Sequence, residues 1–106
     1  MKRYEQVVSS VARTFGLQVS RVSSEGTRLP VEATPEDAQL ISSLRPYTMT
    51  SGERLWSLLN AVRYVVDEQL PGDFAECGVW RGGSVMAIAL ELKRLGRLDR
   101  RLWLYD

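Results

Sequence analysis

Phe74-Ala75-Glu76-Cys77-Gly78-Val79-Trp80-Arg81-Gly82-Gly83-Ser84 runs from a short apolar segment, through a glycine turn, into the start of a helix. The helical part continues as Val85-Met86-Ala87-Ile88-Ala89-Leu90. The pattern predicts a strand over 73–78 and a helix over 83–95, with Gly96 as its C-terminal cap. A second apolar run, Leu102-Trp103-Leu104-Tyr105, predicts a strand over 101–105 that closes on Asp106. Together these segments form a β-α-β unit, whose two strands are parallel. Such units hold nucleotide-like ligands where the first strand meets its helix. Glycines there let backbone approach the ligand, and the helix start offers unpaired N–H groups.

Working back from that unit, Leu70-Pro71-Gly72 breaks the preceding helix. Its apolar face is Leu55, Leu58, Leu59, Val62, Val65 and Val66, and Thr50 with Glu53 forms a capping-box pattern at its start. A shorter helix begins at Thr34-Pro35-Glu36-Asp37, with Thr34 as cap and Pro35 in the first helical position, and Pro46 ends it. Residues 23–35 are rich in Ser, Gly, Thr and Pro and read as a loop or linker. Leu17 to Val22 alternates as a short strand or extended arm would. Tyr4, Val7, Val8, Val11 and Phe15 give residues 2–16 the spacing of an amphipathic helix.

The continuous apolar run from Leu102 to Tyr105 fits an interior strand with neighbours on both sides. Two strands make a marginal sheet. The expectation is therefore the front portion of a larger α/β domain, inactive as an isolated chain. Residues 1–50 would be a helical and lid region with a linker, and residues 51–106 the opening of the ligand-binding domain.

Composition narrows the partners. A formal charge of +1 gives no reason to expect nucleic acid or an anionic membrane, and no apolar stretch approaches the ~20 residues that span a bilayer. One cysteine, Cys77, has no internal partner for a disulfide, which suits a reducing cytoplasm. The 106 residues contain no histidine, so imidazole is excluded from them as base or metal ligand.

The turn itself excludes two common phosphate sites. A P-loop needs Lys-Ser or Lys-Thr after its glycines, where this chain has Ser84-Val85. A dinucleotide fingerprint needs glycine at position 80, which is Trp80. A bulky Trp80 and a charged Arg81 suit a smaller zwitterionic group, such as an amino-acid moiety. Glu76 is an acid inside an apolar strand, costly to bury unless paired. Either backbone amides or Arg81 satisfy it, or an ammonium or hydroxyl of a ligand does. Asp106 lies 23 residues past Gly83, near the ~20-residue spacing at which such acids accept ribose hydroxyls. The two carboxylates and the turn describe a nucleoside site without a diphosphate, and S-adenosylmethionine fits it. Core packing accounts for Met49 and Trp56, and a solvated helix face for Arg45, Arg54 and Arg63.

Leu44 to Arg54, Leu58 to Val62 and Gly72 to Ser84, with its Glu-Cys-Gly-Val-Trp-Arg-Gly-Gly-Ser core, resemble the macrocin O-methyltransferase (TylF-type) family over roughly residues 40–106. The resemblance implies a class I Rossmann-like domain and S-adenosylmethionine-dependent methylation of a sugar hydroxyl in a glycosylated natural product. It implies that Glu76, Gly78, Val79, Trp80 and Ser84 surround the methionine part of the cofactor and that Asp106 holds the ribose. The Tyr47–Thr50 segment would lie over the site, with Thr50 either near the cofactor or purely capping. It further implies a carboxylate base and magnesium whose ligands fall downstream of Asp106, and it allows a homo-oligomer. Two other readings remain at this point. One is a nucleotide-dependent oxidoreductase or sugar-nucleotide enzyme on the same β-α-β unit, and the other a non-enzymatic module acting through helices 2–16 and 53–69.

Overall fold

A computed structural model describes residues 10, 11, 13–16 and 28–106. The expected helix over 2–16 falls largely outside the described residues, as do residues 23–27 of the loop expected over 23–35, and the expected arm over 17–22 falls wholly outside them. The described elements are α1 (Pro35–Ser43), a 3-10 turn (Arg45–Tyr47), α2 (Gly52–Asp67), β1 (Phe74–Cys77), α3 (Gly83–Arg94) and β2 (Leu102–Tyr105). The two strands pair in parallel, Phe74 opposite Leu102 and Cys77 opposite Tyr105.

Local sequence explains where each helix starts and stops. Thr34 caps α1 as expected: its hydroxyl accepts from the Asp37 N–H at 3.1 Å, and the Asp37 carboxylate accepts from the Thr34 N–H at 3.2 Å. Pro46 sits inside the 3-10 turn, and α1 itself ends earlier, at Ser43. The cap of α2 is Ser51, one residue later than the capping-box pattern suggests. The Ser51 hydroxyl accepts from the Arg54 N–H at 3.3 Å. Thr50 is taken up elsewhere: its N–H donates to the Thr48 hydroxyl at 3.0 Å and its carbonyl accepts from Arg45 at 3.4 Å. Helix α3 ends in the anticipated glycine motif. Gly96 has φ +71, and the N–H groups of Gly96 and Arg97 close onto Lys93 and Leu92 at 3.0 and 2.8 Å.

Packing follows the helical periodicity. Ile41 and Leu44 from α1 and its cap, Leu55 and Leu59 from α2, and Ala87 from α3 form one buried cluster. Val62, Ile88 and Leu92 form a second, against which Phe74 and Leu102 of the sheet pack. A fully buried leucine such as Leu55 or Leu59 stabilises by about 2 kcal/mol through area removed from water. The helices therefore cover one face of the sheet. The other face, carrying Ala75, Cys77, Trp103 and Tyr105 by alternation and register, is exposed. The interior strand expected over 101–105 accordingly has Trp103, Leu104 and Tyr105 about half exposed, because the sheet of the described residues has two strands.

A charged knot pins the three helices together. Asp37 of α1 and Glu91 of α3 are both fully buried. Arg63 of α2 donates to Glu91 at 2.7 Å and also to Asp37, while Arg94 of α3 donates to Asp37 at 2.8 Å and Glu91 at 3.1 Å. Trp56 Nε1 adds a bond to Asp37 at 3.2 Å. Two acids and two arginines balance in charge, which is the condition under which buried ions are tolerated. Arg63 is thus part of the interior network, correcting the solvated-face expectation. Trp56 both packs against the core and serves this knot. Arg45 is half-buried in the 3-10 turn, again unlike a solvated helix face, whereas Arg54 is exposed on α2.

Candidate functional site

The carboxyl end of β1 gives way to a turn with left-handed backbone at Gly78 (φ +82), Trp80 (φ +49) and Gly82 (φ +84). Only glycine takes that conformation freely, so Trp80 sits there at a cost of about 1–2 kcal/mol. Such strain in a turn is a pointer toward function. Gly82 is the cap of α3, and having no side chain it makes no capping hydrogen bond to the first turn of that helix. Its partial positive charge and free N–H groups favour an anion.

The opposite wall is the segment Tyr47–Thr50. It presses directly on the helix start, since a methyl group built on Gly83 would lie 2.5 Å from both the Tyr47 carbonyl oxygen and Thr48 Cβ. Glycine is required here by close approach of backbone. Between the two walls lies a cavity of about 160 Å³, lined by Tyr47 to Thr50, Glu76, Gly78 to Trp80, Gly83 and Ser84. Of the residues singled out from sequence, Thr50, Glu76, Gly78, Val79, Trp80 and Ser84 therefore share one cavity. Asp106 is exposed and does not line it. Its Oδ1 accepts from the Val79 N–H at 3.3 Å, so the acid ending β2 touches the glycine turn from outside.

Glu76 is the charged residue among those that line the cavity. Its Oε2 is buried and has no hydrogen-bond partner among the described residues. The pairing with Arg81 anticipated as one alternative is not formed. Arg81 turns the other way, stacking 4.9 Å over the Trp80 ring and donating to the Pro46 carbonyl at 3.4 Å. Met49 corrects another expectation: it is 79% exposed and borders the cavity instead of packing in the core.

A larger hollow of about 490 Å³ lies at the other end of β1, between Gln69–Asp73 and Arg97–Arg100. Its charges satisfy one another. Arg97 grips Asp99 at 3.0 and 3.2 Å, Arg100 donates to the Gly72 carbonyl at 3.0 Å, and Asp73 accepts from the Arg101 N–H and the Trp103 indole. Ligands of α/β sheets bind at the carboxyl ends of strands, where the smaller cavity lies. The smaller cavity, with its orphaned carboxylate, is the better candidate.

Among the described residues no set of three or more Cys, Asp or Glu side chains gathers as metal ligands. The described residues do not make up a magnesium site. No helix of the described residues is long and apolar enough to cross a membrane.

Comparison with known proteins gives the family. The macrocin-O-methyltransferase (TylF) family model matches residues 6–106. Over 60 residues the chain is 40% identical to 8-demethyl-8-(2,3-dimethoxy-alpha-L-rhamnosyl)-tetracenomycin-C 4'-O-methyltransferase of Streptomyces olivaceus, covering 57% of this chain and 23% of that protein. It is 35% identical to demethyldecarbamoylnovobiocin O-methyltransferase of Streptomyces niveus, with the same coverage of both chains. It is 37% identical to mycinamicin III 3''-O-methyltransferase of Micromonospora griseorubida, covering 57% of this chain and 24% of that protein. The matched stretch thus spans about a quarter of each curated relative. With all but its first five residues matched by the family model, the chain belongs to the macrocin O-methyltransferase (TylF) family.

Proposed function

We propose that this chain contributes the amino-acid-binding end of an S-adenosylmethionine site in an O-methyltransferase that acts on a sugar hydroxyl of a glycosylated natural product. The observation that carries the reading is Glu76, whose buried Oε2 has no hydrogen-bond partner among the described residues, lining a cavity that also borders the start of α3, where the cap residue Gly82 supplies no side-chain bond. A carboxylate left without a donor calls for a cation, and a helix N-terminus calls for an anion. One group satisfies both: the zwitterionic end of an amino acid, with ammonium on Glu76 and carboxylate at Gly83 and Ser84. A volume of about 160 Å³ is below the ~300–1,000 Å³ of whole ligand sites. It suits the methionine portion, with the nucleoside leaving across the turn toward Asp106. Asp106 is exposed and keeps acceptor capacity for ribose hydroxyls beyond its bond to Val79.

In this reading the domain is Rossmann-like and the setting cytoplasmic. When bound, the cofactor would supply an electrophilic sulfonium methyl for transfer to the acceptor oxygen, with S-adenosylhomocysteine as the thioether leaving group. The residues described here bind and orient the cofactor's amino-acid end; the base that takes the hydroxyl proton belongs elsewhere in the site. The names of the three relatives, each an O-methyltransferase, support the reaction class, and the rhamnosyl group in one of those names supports a sugar as acceptor. Calorimetry on the full-length protein tests it. S-adenosylhomocysteine should bind and NAD should not, and Glu76→Gln should weaken S-adenosylhomocysteine about tenfold or more. Binding of NAD with no response to S-adenosylhomocysteine would refute the reading.

A further inference from the structure

We infer that Arg81 is a positioning residue that latches the Tyr47–Thr50 segment over the cavity and so controls ligand exchange; as a statement about the cofactor it rests on the reading above. The cavity has two walls from distant parts of the chain, the segment between the 3-10 turn and α2 on one side and the glycine turn on the other. A ligand between them contacts both, so a side chain that ties the walls together bears on how fast it leaves.

Arg81 spans this division. Its guanidinium donates to the carbonyl of Pro46, at the root of the segment, and lies over the ring of Trp80, a residue of the turn itself. The planar group therefore stacks on the turn while donating to the residue that leads into the segment, an arrangement a lysine ammonium, a point charge, makes less well. Few apolar side chains anchor the segment it holds: Tyr47 is 46% and Met49 is 79% exposed, against fully buried Leu55 and Leu59 on the helix that follows, and its other ties are the Arg45 bond to the Thr50 carbonyl and the seat on Gly83. Few buried apolar contacts mark a segment that opens at low cost. The close seat at Gly83 sets where the closed segment rests. Neither Arg81 contact involves Glu76, the start of α3 or Asp106, so the latch acts through the segment and leaves those groups in place.

Two readouts test this in the full-length protein, with Arg81→Ala and Arg81→Lys. The first needs no ligand: amide hydrogen exchange at Tyr47 to Thr50 should accelerate about fivefold to tenfold in Arg81→Ala, while the amides of α2 and α3 keep their protection. The second is stopped-flow tryptophan fluorescence with S-adenosylhomocysteine, in which the dissociation rate should rise by a similar factor and the association rate change less. Arg81→Lys should resemble Arg81→Ala in both. Unchanged exchange at Tyr47 to Thr50 overturns the latch whatever the ligand does. Faster exchange with an unchanged dissociation rate overturns its control of binding. Full rescue by lysine overturns the role of the stacked plane. If the unsubstituted protein ignores S-adenosylhomocysteine, the cofactor reading falls, and the exchange measurement alone decides the latch.

Discussion

The Nε–H of Arg63 on α2 donates to Oε1 of Glu91 on α3 at 2.7 Å, and that carboxylate is completely buried. The same guanidinium reaches Asp37 on α1, so a single side chain joins all three helices. These are the helices that carry the site. The Tyr47–Thr50 wall lies between α1 and α2, and the other wall runs into α3.

Removing Arg63 should be costly because it strands two buried acids. Breaking a buried pair from one side typically costs 3–5 kcal/mol. Arg63 keeps 24% of its side chain exposed, and Arg94 remains as a partner, which puts the expected loss for Arg63→Ala near the lower end, about 3 kcal/mol. Urea denaturation of the parent and variant measures it. A loss below about 1 kcal/mol would reduce the knot to a surface-type pair.

Acid should act on the same knot through Asp37. Burial pushes its carboxyl upward, but hydrogen bonds from Arg94, Arg63 and the Thr34 N–H, with the charge of Arg63, outweigh burial and hold it at about 2 against an ordinary 3.8. The folded protein therefore keeps this acid ionised where the unfolded chain has begun to protonate it. Its contribution, roughly 2 kcal/mol, is complete above the unfolded value of 3.8 and disappears as pH falls through about 2. Asp37→Asn should be less stable than the parent at neutral pH and lose less on acidification, so that the two urea midpoints converge toward pH 2. A constant gap between the two proteins across that range would exclude Asp37 as the titrating group.

Gly83→Ala should displace one wall of the cavity. The added methyl would meet the Tyr47 carbonyl and Thr48 Cβ at 2.5 Å, and one of these is backbone that has no rotamer to change. Gly83 is helical with no positive φ, so the substitution gains helix propensity and any loss comes from the collision alone. The expected result is a net loss of about 1–2 kcal/mol with weakened binding of S-adenosylhomocysteine. A stabilised variant with unchanged binding would mean the segment does not rest on α3 in solution.

The β-α-β unit was legible because its signals are local. Period, glycine punctuation and terminal residues define β1, α3 and β2, and Gly96 closes α3 in the anticipated way. The charged knot depends on residues 26 to 57 positions apart, and helix faces read singly send charges to solvent. One signal was present. Glu91 falls in register with Ala87, Ile88 and Leu92 on the buried stripe of α3, and an acid in that register demands a partner. Arg63, four residues after the buried Leu59, is the matching cation on α2. A methionine at position 49 suggests core, because that is the usual place of its side chain, yet Met49 belongs to a wall that faces the cavity. Continuous apolar character in β2 specifies burial on both sides, whereas the described elements cover one.

Thr50 and Ser51 separate capping from site. The four-residue capping-box pattern Thr50 to Glu53 puts the start of α2 at Thr50. In the structure Ser51 has extended backbone, φ −66 and ψ 157, with its hydroxyl on the Arg54 N–H, while Thr50 lines the cavity. Ser51→Ala should therefore cost about 1 kcal/mol of stability and leave ligand affinity nearly unchanged. Thr50→Val, which keeps the shape and removes the hydroxyl, should leave stability within about 0.5 kcal/mol and weaken S-adenosylhomocysteine. Thermal denaturation and calorimetry on the two variants give a crossed pattern if the roles are divided this way. The reverse pattern, with Thr50→Val destabilised and binding intact, would return Thr50 to the cap and remove it from the site.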